Sequence, residues 1–196
     1  MAIIKLTDVR LSFAEGIYKA KRVNGEGEPK FSASFLMTKN HPAVKIISDA
    51  IREVAKEKWK DKADAVLAQI KAKDNLCLHD GATKDYDGYA GNVFLSASLA
   101  PEKGAPLVTN RRGAPVTAGQ EGAPYSGCYV VVSVDVWAQD NDYGKRVNAQ
   151  LRWVQFYKAG DAFAAGAAPA TLDEMEDLGD LGDAGGETVG AGDSLV

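Results

Sequence analysis

Cationic and aromatic side chains recur side by side in this sequence, and together they can neutralise phosphates and stack flat rings. Tyr18, Lys19, Lys21 and Arg22 share one glycine-rich segment, and Lys84 precedes Tyr86 and Tyr89. Arg111 and Arg112 sit in a Gly/Pro stretch with few packing duties, which favours contact with phosphate. Tyr129, Trp137, Tyr143, Lys145, Arg146 and Arg152 fall in one C-terminal run of alternating residues. Packing competes for each ring. Covering a second apolar layer is an even alternative for Tyr129 and Trp137. Trp153 is expected in the core, because Val147, Ala149, Leu151 and Trp153 share a strand face. Trp59, near the end of a helical pattern, is read as packing too.

Catalytic chemistry finds less support. There is no G-x-x-x-x-G-K-[ST] loop and no G-x-S-x-G elbow. The only histidines are His41 and His79, and the only cysteines are Cys77 and Cys128. Cys77-Leu78-His79-Asp80 lacks the second ligand pair that a tetrahedral metal site needs. Asp80, Asp85, Asp87 and Asp135 form a rival two-metal nuclease reading, but aspartates in a Gly-rich loop commonly serve turns. The expectation is no catalytic residue, no metal and no cofactor, with both cysteines as half-buried thiols in a reducing cytoplasm.

Charge is divided unevenly. Residues 161–196 contain nine carboxylates and no Lys or Arg, so all 23 basic residues lie in 1–160, against 18 acidic ones. A body of formal charge +5 therefore carries a tail of −9. The body suits a polyanionic partner, and the tail can compete with that partner. The tail's Ala/Gly/Asp/Glu composition buries too little apolar surface to order itself, so two regions are expected: a domain over 1–160 and a disordered acidic tail over 161–196. Within the tail, Leu172, Met175 and Leu178 follow a capping-box pattern, and Leu195-Val196 offers a carboxylate with apolar side chains; both are candidate partner contacts. No secretion signal and no apolar run of roughly 20 residues is visible, so no membrane is implied.

The elements that must position these residues are mainly strands. Residues 2–13 alternate, with Ile4, Leu6, Val9, Leu11 and Phe13 inward, which requires a bulge where the phase shifts. Phe31, Ala33, Phe35 and Met37 mark a second strand. Pro42 opens a helix whose Val44, Ile47, Ile51 and Val54 share a face, and a second helix covers 62–71. Val93–Leu99 and Val130–Val136 alternate, the latter without interruption, and a hairpin at 140–144 returns through Tyr157. Residues 100–127 are read as a long loop with short extended pieces at Leu107-Val108 and Pro115-Val116. The sum is an α+β, mainly β chain: an OB-type, partly open β-barrel with a helical insert.

Several runs resemble a family of tailed-phage OB-fold single-stranded-DNA-binding proteins. Tyr125-Ser126-Gly127-Cys128-Tyr129-Val130, Val136-Trp137-Ala138-Gln139-Asp140-Asn141, Gly144-Lys145-Arg146-Val147-Asn148-Ala149 and Val154-Gln155-Phe156-Tyr157-Lys158-Ala159-Gly160-Asp161 are similar to its C-terminal half. Leu78-His79-Asp80-Gly81, Tyr89-Ala90-Gly91-Asn92 and Phe94-Leu95-Ser96-Ala97-Ser98 resemble upstream elements. The resemblance implies a protein that coats single-stranded DNA during phage replication or recombination, in the cytoplasm of an infected bacterial host. It also implies that the acidic tail recruits replication or recombination proteins. A rival within this reading is an annealing mediator acting as a homo-oligomer.

Overall fold

The computed structural model describes residues 1–23 and 26–163. In chain order they form β1 (Ala2–Ser12), α1 (Glu15–Tyr18), β2 (Lys21–Val23), β3 (Glu26–Thr38), α2 (Pro42–Trp59), α3 (Ala63–Ala72), β4 (Leu78–Asp80), β5 (Asn92–Leu99), β6 (Leu107–Thr109), β7 (Tyr129–Asn141) and β8 (Gly144–Lys158). Leu172, Met175, Leu178, Leu195 and Val196 lie outside the described residues.

Five strands close a ring in the order β1–β3–β5–β8–β7. Four of its contacts are antiparallel. The fifth, β5 against β8, is one parallel pair at Ser98 and Gln150, so the barrel stays partly open there. This is the mainly β, OB-type barrel expected, with α2 and α3 inserted between β3 and β4.

Alternation explains the core. Val130, Val132, Val134 and Val136 point inward from β7 and are fully buried with Leu6, Leu11, Phe35, Leu95 and Leu151. Ile47, Ile51 and Val54 seat α2 on that core. The helix starts where expected: Pro42 lies in its first turn, and the His41 Nδ1 accepts the Ala43 N–H at 3.1 Å. Trp59 packs as expected, its indole N–H donating to Asp140 Oδ2 at 2.8 Å. No described helix is long and apolar enough to cross a membrane.

Two register shifts rearrange what alternation alone implies. In β1 the expected bulge falls between Leu6 and Val9, with Asp8 at φ 62°. In β8 a second bulge was not foreseen: Leu151 faces Val134, but Trp153 faces Ser133. Val154 therefore takes the core position and Trp153 turns to the outer face, half-buried, which corrects its reading as core. In the long loop, the extended piece expected at Leu107-Val108 is β6, and the one expected at Pro115-Val116 pairs back onto it, the Val116 N–H donating to the Val108 carbonyl at 3.0 Å. Thr109 bridges to Pro115, and the Asn110 side chain accepts the N–H groups of Arg112 and Ala114. Both cysteines are buried rather than half-buried, and burial pushes their thiols up, Cys77 to about 12 and Cys128 to about 11.

Leu151→Ala should lower unfolding stability by about 2–5 kcal/mol. Ile3→Ala, on the outer face and 63% exposed, should change it by no more than about 0.5 kcal/mol. Urea denaturation of the two variants checks both values.

Candidate nucleic-acid interface

The same alternation that fills the barrel paves its outside. With Phe31, Ala33, Phe35 and Met37 inward on β3, Ser32, Ser34 and Leu36 must face out. β5 answers in register: Ser98 opposite Ser32, Ser96 opposite Ser34, Phe94 opposite Leu36. β1 and β4 extend the rows, Ser12 beside Ser34 and His79 beside Phe94. The result is a flat floor of small hydroxyl side chains, bordered by an apolar row.

Over this floor lies a cleft of about 670 Å³. Its lining carries the cations Lys21, Arg22, Lys30, Lys84 and Arg146 against the carboxylates Glu15, Asp74 and Asp87. Glu15 pairs with Lys21, whose ammonium holds it below the usual carboxylate range, and Asp74 lies 2.8 Å from His79 Nδ1. The balance favours an anion.

Rings climb one wall in edge and tilted contacts. Phe13 meets Tyr86 at 5.2 Å between centroids, Tyr86 meets Tyr89 at 5.4 Å, Tyr89 meets Phe94 at 5.0 Å, and His79 stacks on Phe94 at 4.9 Å. Exposure grades along the series. Phe13 and Tyr86 are 44% and 50% exposed, whereas Tyr89 is 1% exposed. Tyr89 therefore supports Tyr86 from behind, and its reading as a stacking face is corrected. Burial raises its phenol pKa, with the Ser12 and Ser34 hydroxyls opposing the rise.

The described residues end at this wall. Phe163 is buried against Leu36, Tyr89 and Phe94 and lines the cleft, so packing runs three residues past the expected boundary at 160. Arg10 fastens this root, its guanidinium donating to the carbonyls of Gly127 (2.9 Å) and Asp161 (2.6 Å). Tyr125 donates its hydroxyl to the Gly160 carbonyl at 2.8 Å. Gly127, at φ 105°, lies so close that a Cβ there would overlap the Asp161 carbonyl.

Of the residues singled out from sequence, the cleft gathers Lys21, Arg22, Lys84, Tyr86, Tyr89 and Arg146. Tyr18 is corrected to a packing role: it is half-buried against the core, and its hydroxyl donates to the Pro124 carbonyl. Lys19 is exposed outside the lining. Trp137 is half-buried opposite Asn148, Tyr143 stands exposed at the hairpin turn, and Lys145 pairs with Asp140. Arg152 is exposed at the β8 bulge. Arg111, Arg112 and Tyr129 lie beyond the tail root, outside the lining. The sequence reading missed Phe13, Lys30 and the serine floor. Phe13 was placed inward, but at φ 60° it leaves the strand alternation and turns into the cleft. The floor had a signal, the paired alternations of Ser32/Ser34 and Ser96/Ser98.

The rival nuclease cluster does not assemble. Asp80 caps the next turn through Ala82 and pairs with Lys39, whereas Asp135 lies on β7. Among the described residues no three or more His, Cys, Asp or Glu side chains are grouped to hold a metal.

Residues 2–184 match the family described as Enterobacter phage Enc34, ssDNA-binding protein. A protein called putative protein p50, from Acyrthosiphon pisum secondary endosymbiont phage 1, is 44% identical over 174 residues, covering 87% of this chain and 91% of its own. The solved single-stranded DNA-binding protein from bacteriophage Enc34, in complex with ssDNA, superposes with a TM-score of 0.65 at 27% identity, covering 83% of this chain and 89% of that one. The single-stranded DNA-binding protein gp2.5 of bacteriophage T7 shares the fold at a TM-score of 0.55 and 14% identity, over 92% of this chain and 98% of that one.

Gly127→Ala should loosen the tail root, because both its φ and the Asp161 carbonyl oppose a side chain. The expected cost is about 1–3 kcal/mol, with faster proteolysis between residues 159 and 163 and an unchanged barrel by circular dichroism.

Proposed function

The chain belongs to the Enterobacter phage Enc34 ssDNA-binding protein family, and we propose that it binds unpaired DNA along the serine-floored cleft, with little sequence preference and without catalysis. The observation that carries this reading is the coincidence, in one cleft, of excess cations with the two open rings of Phe13 and Tyr86. Lys21, Arg22, Lys30, Lys84 and Arg146 neutralise phosphates, and Phe13 and Tyr86 offer faces that any base can stack on. Hydroxyls on the floor both donate and accept, so they meet base edges or sugars without selecting one base. His79, stacked on Phe94, adds a further ring at the cleft's edge.

The tail enters through its root. Residues 164–196 bring eight carboxylates and no Lys or Arg, and they follow directly on Phe163 in the cleft wall. A polyanion launched there competes with DNA for the same cations, and the strand displaces it. Once displaced, the tail is available to recruit replication or recombination proteins in the cytoplasm of the host bacterium.

Phe13→Ala and Tyr86→Ala should each weaken oligo-dT binding by about 1–3 kcal/mol, where 1.4 kcal/mol is about tenfold in Kd. Lys30→Ala should reduce the log–log salt slope by about 0.7. Fluorescence anisotropy across a salt series reads both, and unchanged affinity in all three variants would remove the cleft from consideration. Truncation after Phe163 should raise affinity, most at low ionic strength, and tail competition is wrong if it does not. Prolonged incubation with Mg²⁺ or Mn²⁺ should leave the oligonucleotide uncut.

A further inference from the structure

Beyond the tail root, cations and tyrosines continue in unbroken contact. Arg10 is held between two rings, its Cζ 4.3 Å from the Phe163 centroid on the cleft side and 5.9 Å from that of Tyr129 on the other. Lys158 Nζ stands 4.5 Å from the Tyr129 ring and 5.7 Å from that of Tyr157. Arg111 Cζ is 5.7 Å from the Tyr157 ring, and Arg112 is its neighbour. Strand register produces this row, because Arg10 faces Tyr129 and Tyr129 faces Lys158 across β1, β7 and β8.

We infer that a DNA strand leaving the cleft passes the tail root and continues onto this cation–tyrosine track, a second contact zone ending at Arg111 and Arg112. The inference rests on the reading of the cleft as the DNA site.

Three features suit the track to phosphates. Its rings are already faced by cations, so they act less as stacking platforms than as supports that hold long charged side chains in place. Less side-chain freedom is then lost when a phosphate arrives. Its far end is built into a fixed turn: Asn110 accepts two backbone N–H groups, and the Gln155 amide donates to the Arg111 carbonyl at 3.2 Å. Arg111 and Arg112 therefore project from a backbone anchored to β8. The carboxylate beside the track is Asp8, paired with Lys158 at 2.7 Å, and neither arginine takes part in a salt bridge among the described residues. An acceptor for the pair must come from outside the barrel. An unpaired strand already held in the adjoining cleft supplies one every nucleotide.

The two zones predict a dependence on length. OB folds cover about 4–16 nucleotides each. An oligonucleotide at the short end of that range fills only the cleft, and one beyond the long end reaches both zones. The test uses the full chain and fluorescently labelled oligo-dT of about 6 and about 20 nucleotides. R111E/R112E should weaken binding of the long oligonucleotide about tenfold or more. The simple loss of two phosphate contacts, read with R111A/R112A, should reduce its log–log salt slope by about 1.4. Binding of the short oligonucleotide should stay within about twofold. Equal loss at both lengths, or no loss at either, overturns the track. So does a gain in affinity, which would mean that the acidic tail rather than DNA occupies the arginine pair. Lys30→Glu, in the cleft, serves as the internal reference. If it weakens neither length, the cleft reading has failed; if it weakens both while R111E/R112E weakens neither, only the track has.

Discussion

The antiparallel register between β3 and β5 is the constraint on which the rest of this molecule depends. Eight residue pairs, from Phe31 with Leu99 to Thr38 with Asn92, close the barrel and at the same time divide its two faces. Side chains alternate with period two, so one register choice sends Phe35 and Leu95 into the core and Ser34 and Ser96 to the outside. A slip of one residue in either strand would set the serines against the core and bare the phenylalanines to water. Core stability thus enforces the chemistry of the floor. The small outward side chains leave the volume in which a ligand can lie.

Electrostatics is layered onto that frame by segments remote from one another in sequence. Lys21 and Lys30 face each other across β2 and β3, Lys84 comes from the turn after β4, and Arg146 comes from the β7–β8 hairpin. Lys30 continues the row of Ser32 and Ser34 on β3. The charges converge because the ends of β2, β3 and β8 and the turn after β4 meet on the same side of the barrel, where the small serine side chains leave room. The tail root is placed with comparable care. Arg10 spends its donors on backbone carbonyls of Gly127 and Asp161, so it fixes the point at which the acidic segment departs, beside the cations it can oppose.

How much of this was legible in the sequence varied with the range of the interaction. The four valines of β7, the apolar stripe of α2 and the capping role of the Pro42 region are local patterns, and the structure follows them. The β1 bulge was visible as a phase shift. The β8 bulge was not, because Leu151 and Trp153 keep the alternation of their strand and only the partner register reveals the extra residue. Tyr89 and Tyr86 lie three residues apart in a polar loop, and nothing local says that one ring would be roofed by Phe163 and the other left open. Burial is decided there by a residue more than seventy positions away in the chain. The cations of the cleft were legible as a class, but which of them converge depended on the closure of the barrel.

Phe13 shows how the fold and the site are coupled. Continuing the alternation of β1 would have taken its ring into the core, where burying such a side chain contributes about 1.5–3 kcal/mol. The chain instead adopts φ 60° at Phe13, a conformation disfavoured for a bulky residue, and leaves the ring 44% exposed. The residues that follow are held in place around that turn. Ala14 is buried and its N–H donates to Ser126 Oγ at 2.9 Å, while Gly16 packs against the backbone of Ser32 with no space for a Cβ. A backbone held in a costly conformation, presenting an apolar ring to solvent beside Tyr86 in a cation-lined cleft, gives up folding energy that an inward ring would have retained. Such strain persists where the surrounding structure over-determines it, and it clusters at ligand sites. The outlier at Phe13 thus singles out this edge of the cleft on grounds independent of charge and of family membership.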